Sequence, residues 1–295
     1  MSRSHLGDRV RSWPVLLAVL GACAVPSTAR GKAALDRGEP ATALAELLPL
    51  ATTGDAGARF LVGLMYETGC GVPADAGQAR RWYTLAAQAG EPAAQCNLGV
   101  MYYEGRAVER SFAEARRWFE AADRQGFAAA TCNLGVMHLY GQDVPRDGER
   151  ARELFAAAAA RGSVRAECLL GSCYYEGAAG TPRDPDEAAR WYGLAAAHGM
   201  ATAQYRLGLS YLRGYGVAQD DAEAVRWLRL AAVQGHAAAQ HDLGLLLAKG
   251  RGVAADPEMA AHWLRLSAEQ GLTTAAARLD EAQHRGVPAV PAPLH

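Results

Sequence analysis

The sequence predicts an all-α protein, a solenoid of stacked helix-turn-helix units, and three observations carry that prediction. Seven glycines, Gly54, Gly90, Gly126, Gly162, Gly199, Gly235 and Gly271, recur 36 residues apart with a single step of 37. Around each the same words return: an apolar run ending in Leu-Gly, then a Tyr, a Gly, an Asp, a Trp and Ala-Ala. Within each unit the apolar positions fall at i, i+4, i+7 and i+8, one face of an α-helix. A fixed period in this range marks a stacked supersecondary unit that buries its apolar face only against its neighbours.

The first helix of each unit, helix A, is built on the pairs Val62-Gly63, Leu98-Gly99, Leu134-Gly135, Leu170-Gly171, Leu207-Gly208 and Leu243-Gly244. Upstream stands an Ala (Ala58, Ala94, Ala130, Ala166, Ala203, Ala239), and downstream an aromatic or apolar slot (Tyr66, Tyr102, His138, Tyr174, Tyr211, Leu247). The mid-helix glycine costs ~1 kcal/mol of helix propensity, which a close approach of a second helix would explain. Helix A stops at Gly69, Gly105, Gly141, Gly177, Gly214 and Gly250, positions suited to a left-handed C-terminal cap.

The second helix, helix B, begins at an N-cap slot holding Asp75, Ser111, Asp147, Asp184, Asp220 and Asp256. Their side-chain oxygens suit the free amides of a helix start. Gln78, Glu114, Glu187 and Glu223, three residues on, are expected to complete capping boxes. Helix B carries Trp82, Trp118, Leu154, Trp191, Trp227 and Trp263, expected as core together with the Tyr66 slot and the Met65 slot. The extra residue of the 37-residue step lies within Gly177–Pro182.

With these residues in view the array resembles Sel1-like repeats, relatives of the tetratricopeptide repeat. The pattern Ala94-Gln95-x-Asn97-Leu98-Gly99-x-Met101-Tyr102 through Gly105, Trp118 and Gly126 carries the likeness. The resemblance implies a right-handed superhelix, and a role in binding proteins with helix A lining the concave side. On it the chain divides into an array over 32–286, with an entry half-unit 32–54, six full units 55–271 and a closing helix 272–286. Ala41–Ala51 serves as helix B of the entry unit. A Pro-rich tail, 287–295, is expected to be disordered.

The N-terminus differs in kind. Arg3, Arg9 and Arg11 precede an apolar stretch, Trp13 to Ala22, too short to span a bilayer and typical of a secretory signal. Leu20-Gly21-Ala22-Cys23 resembles the lipobox of bacterial lipoproteins, which implies a signal over 1–22, acylation of Cys23, a short linker 23–31 and a membrane attachment through the lipid. Cleavage after Ala24 or Ala29, giving a soluble exported protein, and a misassigned start codon stay open.

Bulk composition narrows the function. Half of the 295 residues are hydrophobic and 21% are charged, the balance of a folded protein. A net charge of −1 gives no electrostatic case for nucleic acid. Histidines are scattered, and HExxH, G-x-S-x-G, P-loop and dinucleotide fingerprints are missing from the sequence. No catalytic residue, cofactor or metal site is assigned. Cys96, Cys132 and Cys168 share one slot in successive units, but stacked helices separate equivalent positions by more than the ~7 Å that a disulfide tolerates, so the cysteines are expected to be free.

Candidate partner-binding residues lie on helix A opposite helix B, on a face formed by the slots three before, one after and four after the anchor glycine. They are Phe60, Glu67, Tyr103, Leu139, Tyr175, Tyr205, Leu212 and His241, with Asn97, Asn133, Arg206 and Asp242 on the flank. The Asn pair suits hydrogen bonding to an extended backbone, and Tyr and Arg suit interface anchors. The Val and Leu slot between them is expected to be partly buried. The reading is a non-catalytic adaptor in the bacterial envelope for a peptide or partner protein. Two alternatives stand beside it. One is an enzyme like the cysteine-rich Sel1-like proteins associated with β-lactams, whose helix A to helix B cysteine pairing is missing here. The other is a secreted effector acting on a host.

Overall fold

A computed structural model describes residues 26–177, 180 and 182–271. The signal 1–22, Cys23, the closing helix 272–286 and the tail 287–295 lie outside the described residues. Among the described residues all regular structure is helical, in fourteen helices. The chain forms two compact units, one ending at Ser111 and the other beginning at Phe112.

The first unit contains α1 (Thr28–Asp36), α2 (Pro40–Thr53), α3 (Ala56–Thr68), α4 (Ala76–Gln88) and α5 (Pro92–Glu104). The second contains α6 (Phe112–Asp123), α7 (Ala128–Tyr140), α8 (Gly148–Ala160), α9 (Val164–Glu176), α10 (Pro185–Ala197), α11 (Ala201–Arg213), α12 (Asp221–Val233), α13 (Ala237–Lys249) and α14 (Pro257–Glu269). Within each unit every helix packs on the next along the chain, as the repeat period requires. The entry to the array is a full helix pair. α1 starts at Thr28, inside the stretch expected to be linker, because Ala34 is sealed in a core with Ala43, Leu47 and Val62.

The turns follow the sequence closely. Gly69, Gly105, Gly141, Gly177, Gly214 and Gly250 all take left-handed φ between 65° and 73° and end their A helices. Asp75, Asp147, Asp184, Asp220 and Asp256 each accept a hydrogen bond from an amide in the first turn of helix B. The expected capping boxes are only half realised. The N-cap amide, which a box would give to the Glu, instead donates to helix A: Asp75 to the Tyr66 carbonyl, Asp184 to Tyr174 and Asp220 to Tyr211, at 2.9, 2.9 and 3.1 Å. Glu114, Glu187 and Glu223 are turned to Arg117, Arg190 and Arg226.

The core contains the Met slot as expected, with Met65, Met101, Met137 and Cys173 buried. The Trp slot is different. Trp82, Trp118, Trp191, Trp227 and Trp263 are half-buried, and only Leu154 of that slot is buried. The buried member of helix B is the next residue: Tyr83, Phe119, Phe155, Tyr192, Leu228 and Leu264. One residue further is a 100° turn about the helix, which swings this side chain onto the anchor glycine. A Cβ on Gly63 would stand 2.7 Å from the Tyr83 ring, on Gly135 2.6 Å from Phe155, and on Gly208 2.9 Å from Leu228. The mid-helix glycine is therefore the place where helix B touches helix A. The Trp rings lie beside this seam with arginines over their faces, Arg117 on Trp118, Arg190 on Trp191 and Arg226 on Trp227. The Tyr66 slot, also expected as core, is likewise half-buried except at Leu247.

Successive pairs are also joined by polar side chains. Gln204 donates to the Ala196 carbonyl and accepts from Gln234, and Gln240 repeats the pattern with Ala232 and Gln270. Arg161 with Thr131, and His198 with Glu167, occupy the same rungs in the earlier pairs. The buried members, Thr131, Glu167, Gln204 and Gln240, each find a partner at a neighbouring helix, which fixes the stacking register.

Candidate partner-binding face

The candidate residues divide by unit. In the first unit Phe60 stacks on Tyr83 with ring centroids 5.8 Å apart. The Tyr83 hydroxyl donates to Glu67 at 2.5 Å, and Arg106 also pairs with Glu67. Asn97 lies within hydrogen-bonding reach of the same Tyr83 hydroxyl. Burial, with the Glu67 carboxylate, pushes the Tyr83 phenol well above its ordinary value. Phe60, Glu67 and Asn97 thus converge on one buried tyrosine. Tyr103 is half-buried on the same A-helix slot as Glu67, one unit on.

In the second unit Tyr205 stacks on His236 at 4.6 Å, and its hydroxyl donates to Asp242 at 3.3 Å. The other Asp242 oxygen is held by His241 Nδ1 at 2.8 Å. Burial, and then the Asp242 charge, pushes the Tyr205 phenol up to about 12. Arg206 lies close enough to Tyr205, Tyr192, Cys168 and His236 to act on each electrostatically. Tyr175 meets Tyr215 edge to face at 5.0 Å and accepts a hydrogen bond from Arg213. Tyr175, Tyr205, Arg206, His241 and Asp242 are all half-buried. Such side chains have lost part of their hydration already and still present surface, a combination found at interface anchors.

Other candidates are corrected by the structure. Asn133 is buried and its Oδ1 accepts from Arg165, so it cannot join Asn97 in clamping a peptide backbone. Leu139 is buried beside Cys132, Ala151 and Phe155, and Leu212 packs partly against the core of Val225, Leu228 and Leu243. Cys96, Cys132 and Cys168, on the slot expected to face outward, are buried as well. The reason is shared: side chains opposite helix B meet the next helix pair, which covers the cysteines, Asn133 and Leu139 while longer side chains such as Tyr175 and Tyr205 reach past it. The intervening Leu64, Val100, Val136, Leu209 and Leu245 are half-buried, as expected. The described cysteines, Cys70, Cys96, Cys132, Cys168 and Cys173, are all free thiols.

His236 is a residue that sequence reasoning passed over. It is the N-cap of α13, its Nδ1 accepting the Ala239 amide at 3.2 Å, and burial lowers its pKa. Its position just before an A helix, beside a tyrosine 31 residues earlier in the chain, gave no helical-spacing signal. Among the described residues no group of three or more His, Cys, Asp or Glu is arranged to hold a metal ion, and no helix is long and apolar enough to cross a membrane.

Helix pairs stacked at a 36-residue period, with an anchor glycine at each A/B seam, define a helical-hairpin repeat protein. The chain belongs to the Sel1 repeat family: the family's repeat pattern matches residues 56–91, 92–127, 128–163, 164–200, 201–236 and 237–272. A Sel1 repeat protein from Oxalobacter formigenes superposes with a TM-score of 0.76 at 31% identity, over 83% of this chain and all of that one. The c5321 protein of uropathogenic Escherichia coli, a protective antigen with the same fold, gives a TM-score of 0.54 at 31% identity, over 89% of this chain and 68% of that one. The immunity protein PA5088 from Pseudomonas aeruginosa shares the fold alone, at 20% identity and a TM-score of 0.53 over 80% of this chain and 88% of that one. No curated protein matches the chain. Members of the family are in general protein-interaction scaffolds rather than enzymes.

Proposed function

We propose that this protein is a non-catalytic adaptor of the bacterial envelope, exported and anchored through an acylated Cys23, that binds a peptide or partner protein on the face of its A helices opposite the B helices. The observation that carries the binding reading is the half-buried tyrosines and arginine on the A helices, Tyr103 in the first unit and Tyr175, Tyr205 and Arg206 in the second. Large rigid rings with few rotatable bonds lose little entropy on binding and bury much area, so they are efficient anchors. The signal-like N-terminus supports export, and the description of the E. coli relative as a protective antigen fits a protein outside the cytoplasm.

The test is a crosslinking pull-down from native envelopes comparing wild type with the Tyr103→Ala/Tyr175→Ala double variant. Partners captured by the first and lost by the second, at equal melting temperature, support the adaptor. Equal recovery moves the interface off these helices. Metabolic labelling with a palmitate analogue, lost on Cys23→Ala, tests the anchor; unlabelled wild-type protein rejects it.

A further inference from the structure

Many arginines of the described residues are neutralised within the fold. Arg106 pairs with Glu67, Arg116 with Asp143, Arg161 with Asp123, Arg190 with Glu187, Arg226 with Glu223 and Arg251 with Asp221. Others have no carboxylate partner, Arg59, Arg146 and Arg183 donating to backbone carbonyls, and two such guanidiniums lie on one face of α11. Arg206 and Arg213 are seven residues apart, two helical turns. Arg213 donates only to the neutral Tyr175 hydroxyl, at 3.2 Å, and the Arg206 side chain has no hydrogen-bond or ion-pair partner among the described residues. Arg165, on the preceding A helix, is likewise held by a neutral group, Asn133.

The nearby carboxylate makes no ion pair with Arg206. Asp242 has one oxygen on the Tyr205 hydroxyl and the other on His241. Arg206 is half-buried, in the electrostatic range of Tyr192, Tyr205 and His236. A guanidinium is the group that forms the best-oriented bidentate bonds to a carboxylate. His236 adds a second donor. Its Nδ1 accepts the Ala239 amide, so in the neutral ring the proton is on Nε2.

We infer that the A-helix face of the second unit, centred on Arg206 and flanked by Arg213, His236, Tyr175 and Tyr205, binds an extended acidic peptide segment, with an Asp or Glu carboxylate seated on Arg206 and neighbouring side chains against the tyrosine rings. This rests on the adaptor reading and names the chemistry of its partner. The charge argument selects an acidic segment over a neutral one: Arg206 and Arg213 stand two turns apart on one helix face with no carboxylate paired to either. The tyrosine faces select a peptide over a small anion, since they offer area that a lone carboxylate cannot cover.

The probe is a phage-displayed library of random decapeptides panned on the full chain. Selected peptides are synthesised and measured by fluorescence anisotropy against wild type, Arg206→Gln, Arg206→Lys and Arg213→Gln. The expected result is enrichment of Asp or Glu at one peptide position, with about a ten-fold or greater loss of affinity in Arg206→Gln, the size of a lost charge-assisted hydrogen bond. Changing that peptide acid to its amide should cost the same and add nothing to Arg206→Gln, the signature of a direct pair. Arg206→Lys should recover part of the affinity, and binding should weaken with salt. Arg213→Gln, at an exposed side chain where folding is not at stake, should weaken the acidic peptides by a smaller factor. Peptides without acidic enrichment, acidic peptides indifferent to both arginines, or a library yielding no binder overturn the inference. Neutral peptides lost on Tyr103→Ala/Tyr175→Ala overturn it while leaving the adaptor standing; the envelope pull-down decides the adaptor separately.

Discussion

Gly171, in the middle of α9, faces the ring of Tyr192 on α10 so closely that a Cβ would stand 2.6 Å from Cδ1. The glycine exists in a helix interior, at a propensity cost of ~1 kcal/mol, because the aromatic ring needs the space where its side chain would be. The hydroxyl of Tyr192 then reaches Ser172 at 3.2 Å, which ties the seam at both ends.

Gly171→Ala should therefore destabilise the fold by roughly 1–3 kcal/mol, the cost of overpacking, despite Ala's better helix propensity. Gly193, in the interior of α10, would place a Cβ with nothing within 4 Å of it and serves as the internal control. Gly193→Ala should stabilise by about 0.5–1 kcal/mol. Urea unfolding of the two variants gives opposite signs if the seam contact governs; the same sign for both would refute it.

Tyr192→Ala should be worse than Trp191→Ala, although Trp is the larger residue. Tyr192 is 1% exposed and fills the seam, so its truncation costs ~3–5 kcal/mol. Trp191 is half-buried, and its indole N–H is buried without a partner. Trp191→Phe has no hydrogen bond to lose and should cost under about 1.5 kcal/mol. Thermal melts ranking Trp191→Ala above Tyr192→Ala in damage would restore the tryptophan to the core.

These two residues also mark how far the sequence could be read. The caps were legible because capping is local chemistry: an Asp at the start of helix B and a Gly at the end of helix A act within one turn. The A/B seam was half legible. The anchor glycine announced a close approach, but the conspicuous repeating Trp drew attention from the less uniform Tyr83, Phe119, Phe155, Tyr192, Leu228 and Leu264 beside it. That slot is large and apolar in all six units, whereas the Trp slot drops to Leu154 in one; this was the available signal. The partner face was legible as a set of slots and not as exposed residues. Whether Leu139 or Tyr175 remains accessible depends on how the next helix pair covers it, and helical spacing within a unit does not encode that.

The loop after helix A yields a further contrast. Gly216 has φ of +74°, and a Cβ there would lie 1.9 Å from the Pro185 carbonyl oxygen at the start of α10. Asp143 occupies the matching loop position with φ of +57° and pairs with Arg116 at 2.7 Å. Gly216→Ala should cost more than about 2 kcal/mol, from left-handed strain plus a backbone collision that no side-chain motion relieves. Asp143→Gly exchanges a surface ion pair worth ~0–1 kcal/mol for relief of comparable strain, so its melting temperature should stay near wild type. Equal damage by both substitutions would mean that the loop's contact with the preceding helix start is not what selects glycine.

Stability should fall on the alkaline side for a reason located in the core. Burial raises the Cys173 thiol from 9.0 to about 11, and burial raises the Tyr192 phenol from 10.0 to about 12. Burial pushes the Cys132 and Cys168 thiols up as well. In the unfolded chain these groups ionise at their ordinary values, so above pH 9 the unfolded state holds fewer protons than the folded one, and stability decreases with rising pH. Below pH 9 both states are protonated and the contribution is fully present. For Cys173 the rise from 9.0 to about 11 corresponds to a loss of about 2–3 kcal/mol, spread between pH 9 and pH 11. Urea unfolding at intervals across that window should show a steep decline in wild type and a shallower one in Cys173→Ala, whatever the variant's stability at pH 7. Parallel declines in the two proteins would show that the Cys173 thiol ionises in the folded core as readily as in water, and that its slot is open rather than sealed against helix B.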